Sequence, residues 1–269
     1  MATYVEVGRG PVELDQVHFV AQGGEGAVYC RDGVAYKVFH DADRALPQGK
    51  LRLLAALDAP TVVRPERLLL RDGAPAGYAM RWIPDARPLA PFFTPAFRRR
   101  NAVTAEAVAA LVESMRRTVA HAHARGALVV DLNDLNCLVP PSHDRAYFID
   151  VDSWQVPGFP ATALLDTVRD RHAAAFHEGS DWFSWAVVTF QLWLGVHPYK
   201  GKHPTLTTLE DRMQADASVF DPAVTLPPAC PPLDVVPARL RGWYEAVFER
   251  RHRYPPPAEN GAAAVPVPR

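Results

Sequence analysis

The sequence predicts an α+β protein with two lobes, in which a small β-rich N-terminal lobe precedes a larger and mainly helical C-terminal lobe. Three observations favour this division. Over 4–38, short alternating runs are separated by turn residues, which is typical of a meander of strands. Over 103–125 the apolar residues recur at helical spacing, and 182–194 has the continuous hydrophobicity of a core helix. Pro84 and Pro88 lie between the two kinds of sequence and mark the boundary.

This boundary divides the chain into an N-terminal lobe over 1–84, a C-terminal lobe over 85–254 and a tail over 255–269. The tail is rich in proline and alanine and is expected to be disordered. With 269 residues, 48% of them hydrophobic, the chain is long enough to bury a large core. The net charge of −1 argues against binding to nucleic acid or to an anionic membrane surface.

Further features of the composition favour a cytoplasmic protein. Three cysteines, at positions 30, 137 and 230, lack the spacing of a metal site and suit free thiols in a reducing compartment. The first residues have neither the basic nor the apolar region of a secretion signal. The apolar run 182–194 is too short to span a bilayer, so no membrane association is expected.

A glycine-rich turn follows the second predicted strand. Gly23, Gly24 and Gly26 lie between the β-type runs 17–21 and 27–29. Glycines at such a turn let backbone N–H groups approach a bound anion without interference from side chains. A plain glycine hairpin explains the same residues equally well.

The next strand, 34–39, contains a lysine among apolar residues. Lys37 is costly to bury there unless an anionic partner neutralises it. Taken alone, Lys37 could also lie at a strand edge with its ammonium group in solvent.

Helices and strands alternate through the rest of the chain. The stretch 47–57 predicts a helix with three leucines on one face, and 68–70 and 77–83 predict a strand pair around an Asp-Gly turn. Besides 103–125 and 182–194, helices are predicted at 94–100, 206–220 and 238–248.

The polar loop 129–139 carries the residues that suggest chemistry. Asp131 and Asn136 emerge between two apolar pairs, and Asp150 follows the apolar run 147–149. One carboxylate could orient an acceptor hydroxyl, while an amide and a second carboxylate could hold magnesium on nucleotide phosphates. By itself, this pattern is also that of a polar turn between two strands.

The order of these motifs over roughly 19–253 resembles that of the eukaryotic-type protein kinases. The stretch 21–28 partly matches G-x-G-x-x-G-x-V, and 34–37 ends in the lysine of V-A-x-K. The stretch 180–199 is similar to the S-D-x-x-S pattern of the kinase helical lobe. At 149–155, I-D-V-D-S-W-Q replaces the usual D-F-G, and this resembles a compact bacterial kinase branch that carries I-D-x-D-S-[FW]-Q.

The resemblance implies that ATP and Mg²⁺ bind between the lobes. By this resemblance, Asp131 is expected to orient the acceptor hydroxyl and Lys37 to bind the nucleotide phosphates, while Asn136 and Asp150 are expected to bind the metal. Asp131, Lys37 and Asn136 are the expected catalytic residues. The nucleotide-binding residues that it implies are Gly23, Gly24, Gly26, Val28, Ala35 and Lys37, with Met80, Arg81, Trp82 and Ile83 at the adenine hinge.

It also implies two supporting contacts. Asp181 should cap the helix that begins near it and hold backbone amides of the catalytic loop. Arg250 should pair with an acid at the end of the activation segment, 157–177.

The chain departs from the kinase pattern at several places. No glutamate occurs between Glu25 and Glu66, so helix 47–57 cannot supply the usual partner of Lys37. Either another acid substitutes, or the phosphates and Asp150 alone hold Lys37, or the site is degraded. Valines stand at 129 and 130 in place of His-Arg, Asn133 in place of a phosphate-binding lysine, and Asp152 in place of glycine.

The function expected from these motifs is transfer of the ATP γ-phosphoryl group to a Ser or Thr hydroxyl, with a protein substrate or regulatory partner. A pseudokinase scaffold that binds nucleotide weakly or not at all is the first alternative. A small-molecule kinase is the second, because I-D-x-D also occurs in aminoglycoside-type phosphotransferases. The stretch 182–199 argues against this last alternative, since such enzymes usually lack it in this form.

Overall fold

The computed structural model describes residues 2–162, 164–228 and 230–258. Over these ranges the chain has an α+β architecture, which confirms the predicted class. A curled seven-stranded sheet is formed by strands from the first 81 residues, and most helices follow it.

The seven strands are antiparallel throughout and follow the order β2-β1-β6-β7-β5-β4-β3. Their bounds are β1 (Ala2–Glu6), β2 (Gly10–Leu14), β3 (Phe19–Gln22), β4 (Gly26–Arg31), β5 (Val34–Phe39), β6 (Pro65–Arg71) and β7 (Ala74–Arg81). The predicted meander and the predicted strand 34–39 are therefore confirmed. β6 is longer than its predicted core at 68–70 because it pairs with both β1 and β7.

The register of β5 places the predicted nucleotide residues on one face of the sheet. Lys37 lies opposite Val28 of β4 and Tyr78 of β7, and Ala35 lies opposite Met80. Because side chains alternate along a strand, these residues share the face that packs against the main core. The opposite face, with Tyr36 and Ala79, belongs to a separate small cluster beneath the β1–β2 hairpin.

The six helices are α1 (Gln48–Leu54), α2 (Pro95–Arg100), α3 (Ala105–His123), α4 (Glu178–Leu194), α5 (Leu209–Gln214) and α6 (Ala238–Glu249). All but two residues of α4 are buried, Glu178 and Gln191 being the exceptions, so the prediction of a central core helix is confirmed. The chain leaves α3 after His123, and Gly126, three residues beyond the helix, has φ +71°.

The prediction of a helix over 206–220 is wrong in its length. Thr208 and Asp211 cap each other's backbone N–H groups, which starts α5 at Leu209. The chain leaves the helix after Gln214, and Asp216 has φ +55°. The apolar residues beyond it pack as an irregular segment instead, with Ala217 and Val219 buried.

A second, three-stranded sheet places the polar loop 129–139 next to the segment that carries Asp150. β8 (Arg87–Pro88), β9 (Cys137–Val139) and β10 (Tyr147–Phe148) pair in the order β10-β9-β8. The Ile149 N–H donates to the Asn136 carbonyl oxygen at 3.0 Å. This contact at the open end of the β9–β10 hairpin sets Asn136 beside the segment that carries Asp150.

Within the described ranges, no helix combines the length and the hydrophobicity that crossing a membrane requires. Of the predicted disordered tail, 259–269 lie outside the described residues.

Gly26 allows β4 and β5 to pack closely, in addition to its place in the glycine-rich turn. A Cβ at Gly26 would lie 2.3 Å from the Val38 carbonyl oxygen, whereas one at Gly24 would meet nothing within 4 Å. We expect Gly26→Ala to lower the free energy of unfolding by about 1–3 kcal/mol, because β4 must separate from β5 to admit the methyl group. Gly24→Ala should stay within about 0.5 kcal/mol of wild type. Equal denaturant midpoints for the two variants would contradict this account.

Candidate active site

Lys37 is the centre of a buried cluster of opposite charges. Its Nζ forms an ion pair with Asp150 and donates to the two carboxylate oxygens of Asp152 at 2.9 and 3.1 Å. Glu25, from the turn between β3 and β4, lies 3.4 Å away. Lys37 is only 6% exposed, and a buried lysine requires an anionic partner. Three carboxylates take that part in the structure.

The backbone after β10 turns sharply to present two of these carboxylates. Asp150 has a left-handed conformation with φ 60°, and a 3₁₀ turn follows over Val151–Ser153. The Ser153 hydroxyl closes the turn by donating to the Asp150 carbonyl oxygen at 2.7 Å. A non-glycine residue in this conformation is strained, and such strain is often found where a side chain must be aimed at a functional site.

The charges shift the pKa values of the cluster in ways that its geometry explains. Burial by itself would lower the pKa of Lys37, but the carboxylates of Asp152 and Asp150 outweigh it and hold that pKa above its ordinary value. Burial raises the pKa of Asp150, and the neighbouring Asp152 carboxylate raises it further, while Lys37 opposes both. Lys37 is therefore firmly cationic, and Asp150 would gain from a second cation.

The polar loop is held from below by Asp181, as predicted. The prediction that Asp181 caps α4 is wrong, because His177 is the N-cap residue and accepts from the Ser180 N–H, which places Asp181 inside the helix. The side chain of Asp181 is fully buried and accepts hydrogen bonds from the Val129 and Val130 amides, each at 2.8 Å. A third hydrogen bond joins the Asp181 carboxylate to the His123 ring at the end of α3, also at 2.8 Å. Val130 has φ 61°, so the loop passes through a strained residue directly before Asp131.

Asp131 and Asn136 meet across this loop. The Asn136 Nδ2 group donates to the Asp131 Oδ2 atom at 3.1 Å. The other carboxylate oxygen of Asp131 accepts from the Leu165 N–H at 2.6 Å. Asn133 is buried and accepts from the Leu135 and Asn136 amides at 2.9 and 3.1 Å. Asn133 therefore shapes the loop through its own side-chain contacts.

The predicted adenine hinge follows β7. Met80 is buried and faces Ala35, while Ile83 is also buried and Trp82 packs partly against the main core. The Arg81 side chain turns away, since its guanidinium donates to the Pro60 carbonyl oxygen at 2.5 Å and covers the Tyr147 ring. Only backbone groups of Arg81 could therefore serve a ligand on this face.

The glycine turn is a closed hairpin. Gly23 donates its N–H to the Gly26 carbonyl oxygen at 2.9 Å, so this amide is already used. Gly24 lies in open space at the tip. Of the three predicted glycines, Gly24 is therefore the best placed to approach an anion.

Acids from outside α1 lie beside Lys37 in the structure. Glu25 and Asp152 take the place beside Lys37, and α1 instead contributes Lys50, whose Nζ donates to the Asp152 carbonyl oxygen at 2.5 Å. Sequence reasoning missed the pairing of Asp152 with Lys37 and the burial of Lys50. A signal was available, because a lysine in an otherwise leucine-lined helix requires an acceptor in the core.

The prediction for Arg250 is wrong. Arg250 pairs with Glu245, and it is Arg253 that pairs with an acid of the segment 157–177. The Arg253 guanidinium binds both carboxylate oxygens of Asp170 at 2.6 and 2.9 Å, and it also covers the Phe183 ring. The helix α6 ends at Glu249, and Arg251 has φ 55°, which turns the chain so that Arg253 rather than Arg250 points inward.

The donor set fits a divalent metal ion. Lys37 uses one carboxylate oxygen of Asp150, and among the described residues the other has no partner. The Asn136 Oδ1 atom likewise has no donor in the described ranges. Carboxylate and amide oxygens are the ligands that Mg²⁺ takes in proteins. Glu25, Asp150 and Asp152 also have ligand atoms within 4.8 Å of one another, but in this arrangement Lys37 lies among them.

Comparison of the chain with protein-family models gives no match, and comparison with curated proteins gives none.

Proposed function

We propose that the chain is a two-lobed kinase of the eukaryotic type that transfers the ATP γ-phosphoryl group to a hydroxyl. The observation that carries this proposal is the ion pair of Lys37 with Asp150, 113 positions away, beside the loop of Asp131 and Asn136. The two segments are joined by the hydrogen bond from the Ile149 N–H to the Asn136 carbonyl oxygen. This arrangement supports a site with a lysine for phosphates, two oxygen ligands for a metal and a carboxylate for the acceptor hydroxyl.

Each residue has a role in the proposed reaction. Lys37 neutralises the nucleotide phosphates, and Asn136 and Asp150 hold Mg²⁺. When bound, Mg²⁺ supplies positive charge that stabilises the transferring phosphoryl group. Asp131 orients the acceptor hydroxyl and accepts its proton. The face of β5 and β7 with Ala35 and Met80 is the proposed wall of the adenine pocket.

The conformation described here is closed to both substrates. The Leu165 N–H donates a hydrogen bond to the Asp131 carboxylate, so an acceptor hydroxyl must displace this N–H group. Lys37 occupies Asp150, so a bound metal and phosphates must separate that pair. Asp150 would hold the metal and Lys37 the phosphates, and the charges of a bound Mg-nucleotide would compensate both residues for the loss of their pair.

A Ser or Thr hydroxyl of a protein is the acceptor that we favour, in the cytoplasm. Support comes from the buried helix α4 and from two contacts of the segment 157–177, in which Leu165 donates to Asp131 and Asp170 pairs with Arg253. We propose the described part of this segment as the surface for a peptide. The second candidate function is a scaffold without catalysis. It is favoured by the three carboxylates around Lys37, which neutralise it without any nucleotide.

Phosphoryl transfer from γ-labelled ATP tests the proposal. The full chain would be incubated with Mg-ATP and with pools of protein acceptors or of small alcohols. We expect label on Ser or Thr of protein. Label only on small alcohols would support a small-molecule kinase, and nucleotide binding without any transfer would support the scaffold.

A further inference from the structure

Two of the four lysines in the chain meet at one residue of the site. The sequence has 29 basic residues but only four lysines, at positions 37, 50, 200 and 202. Lys37 and Lys50 are 6% and 3% exposed, and both donate to Asp152. Lys200 and Lys202 lie at the surface. Asp152 is thus bound through its side chain by one buried lysine and through its carbonyl oxygen by the other.

Asp152 is the most firmly held of the three carboxylates around Lys37. Its side chain is 6% exposed, against 30% for Asp150 and 22% for Glu25. The buried Tyr78 hydroxyl donates to Asp152 Oδ1 at 2.6 Å, and Lys50 holds the backbone from α1. Asp150 retains a free oxygen, and Glu25 lies on the exposed β3–β4 turn at 3.4 Å. When phosphates and metal enter, Asp150 and Glu25 can leave Lys37, whereas Asp152 stays.

We propose that Asp152 is the positioning residue for Lys37, and that Lys50 fixes Asp152 to α1. The inference rests on the proposed function in so far as Lys37 serves nucleotide phosphates. In this arrangement the carboxylate comes from the turn after Asp150 and the cation comes from the helix, so α1 is tied to the site through a lysine. Burial is the main reason that the pKa of Lys50 lies below its ordinary value, and the charges of Asp152 and Glu25 oppose that effect only in part. The hydrogen bond from Lys50 Nζ to the Asp152 carbonyl oxygen is the contact that ties α1 to Asp152.

The first test measures Lys37 without any nucleotide. Trace acetylation of the full chain, read by mass spectrometry, gives the reactivity of each lysine, with the exposed Lys200 and Lys202 as internal references. In Asp152→Asn, which keeps an oxygen for Tyr78, we expect at least a tenfold rise in Lys37 acetylation at neutral pH, because the main stabilising charge is gone. Glu25→Gln also removes one negative charge, but from a carboxylate that lies farther from Lys37. This variant should change the rate of Lys37 acetylation less than threefold. Equal reactivity in both variants would overturn the proposal.

The second test exchanges the charges. Lys50→Glu places a carboxylate beside Asp152 and should weaken Mg-ATP binding at least tenfold. The double variant Lys50→Glu with Asp152→Asn should recover part of that loss, because Glu at position 50 can then serve Lys37 from α1. A merely structural role predicts that the two defects add, and additive losses would contradict the proposal. If wild type binds no Mg-ATP, the proposed function fails, and the acetylation comparison alone decides the role of Asp152.

Discussion

Replacing Asp131 with asparagine should reduce turnover by about 10²–10⁴-fold, the range that a positioned acid or base contributes. Asparagine cannot accept the proton of the acceptor hydroxyl. It also keeps only one acceptor oxygen, so one of the two contacts to Leu165 and Asn136 is lost. Nucleotide binding should change less than threefold, because Asp131 contacts neither Lys37 nor Asp150 in the described structure. Initial rates with saturating Mg-ATP and a binding titration measure the two effects separately.

The matched control is Asp134→Asn in the same loop. The Asp134 side chain has no hydrogen bond or ion pair among the described residues, and the backbone carbonyl oxygen supports Leu89. This variant should keep turnover within about threefold of wild type, since it lies outside the contacts of the site. A turnover for Asp131→Asn equal to that of the control would remove Asp131 from the mechanism.

Asp181→Ala should have the largest effect on stability. The carboxylate is fully buried and accepts from two loop amides and from His123. Leaving each buried donor without an acceptor costs about 1–3 kcal/mol, so we expect the free energy of unfolding to fall by about 3–5 kcal/mol. Urea unfolding followed by tryptophan fluorescence measures this directly. Activity should fall with it, because the loop that carries Asp131 and Asn136 loses its support.

The control for this variant is Asp211→Ala. Asp211 is exposed and accepts from the Thr208 amide at the start of α5. Loss of such a cap typically costs about 1 kcal/mol. Similar losses for Asp181→Ala and Asp211→Ala would show that the buried contacts of Asp181 carry no special weight.

Local patterns in the sequence were sufficient for much of the fold. Strand alternation predicted β5 to the residue, and continuous hydrophobicity predicted α4. These two features depend on residues close in sequence or on the burial of one element. The contact of Asp181 with the loop amides spans 51 and 52 positions, and its expectation came from the resemblance to the kinase motifs.

The partners of Lys37 could not be predicted from the sequence in the same way. Asp152 reaches it from 115 positions away, and Lys50 approaches Asp152 from a different element. Backbone turns such as that at Asp150 decide which of several acids contacts a buried lysine. Asp150 has φ 60°, and this left-handed conformation is hard to predict from sequence because the residue is not glycine. The wrong prediction for Arg250 also results from a backbone turn that the sequence does not reveal, because the turn at Arg251 makes Arg253 rather than Arg250 face inward.

Thermal unfolding with and without Mg-ATP, for wild type and for Asp150→Asn, tests the central claim most directly. A ligand at about a hundred times its dissociation constant stabilises the folded state by roughly 2.7 kcal/mol, which shifts the midpoint visibly. We predict a shift in wild type that requires Mg²⁺ as well as ATP and that is lost in Asp150→Asn. No shift in wild type at millimolar Mg-ATP, or an equal shift in the variant, would contradict a nucleotide and metal site at Lys37 and Asp150.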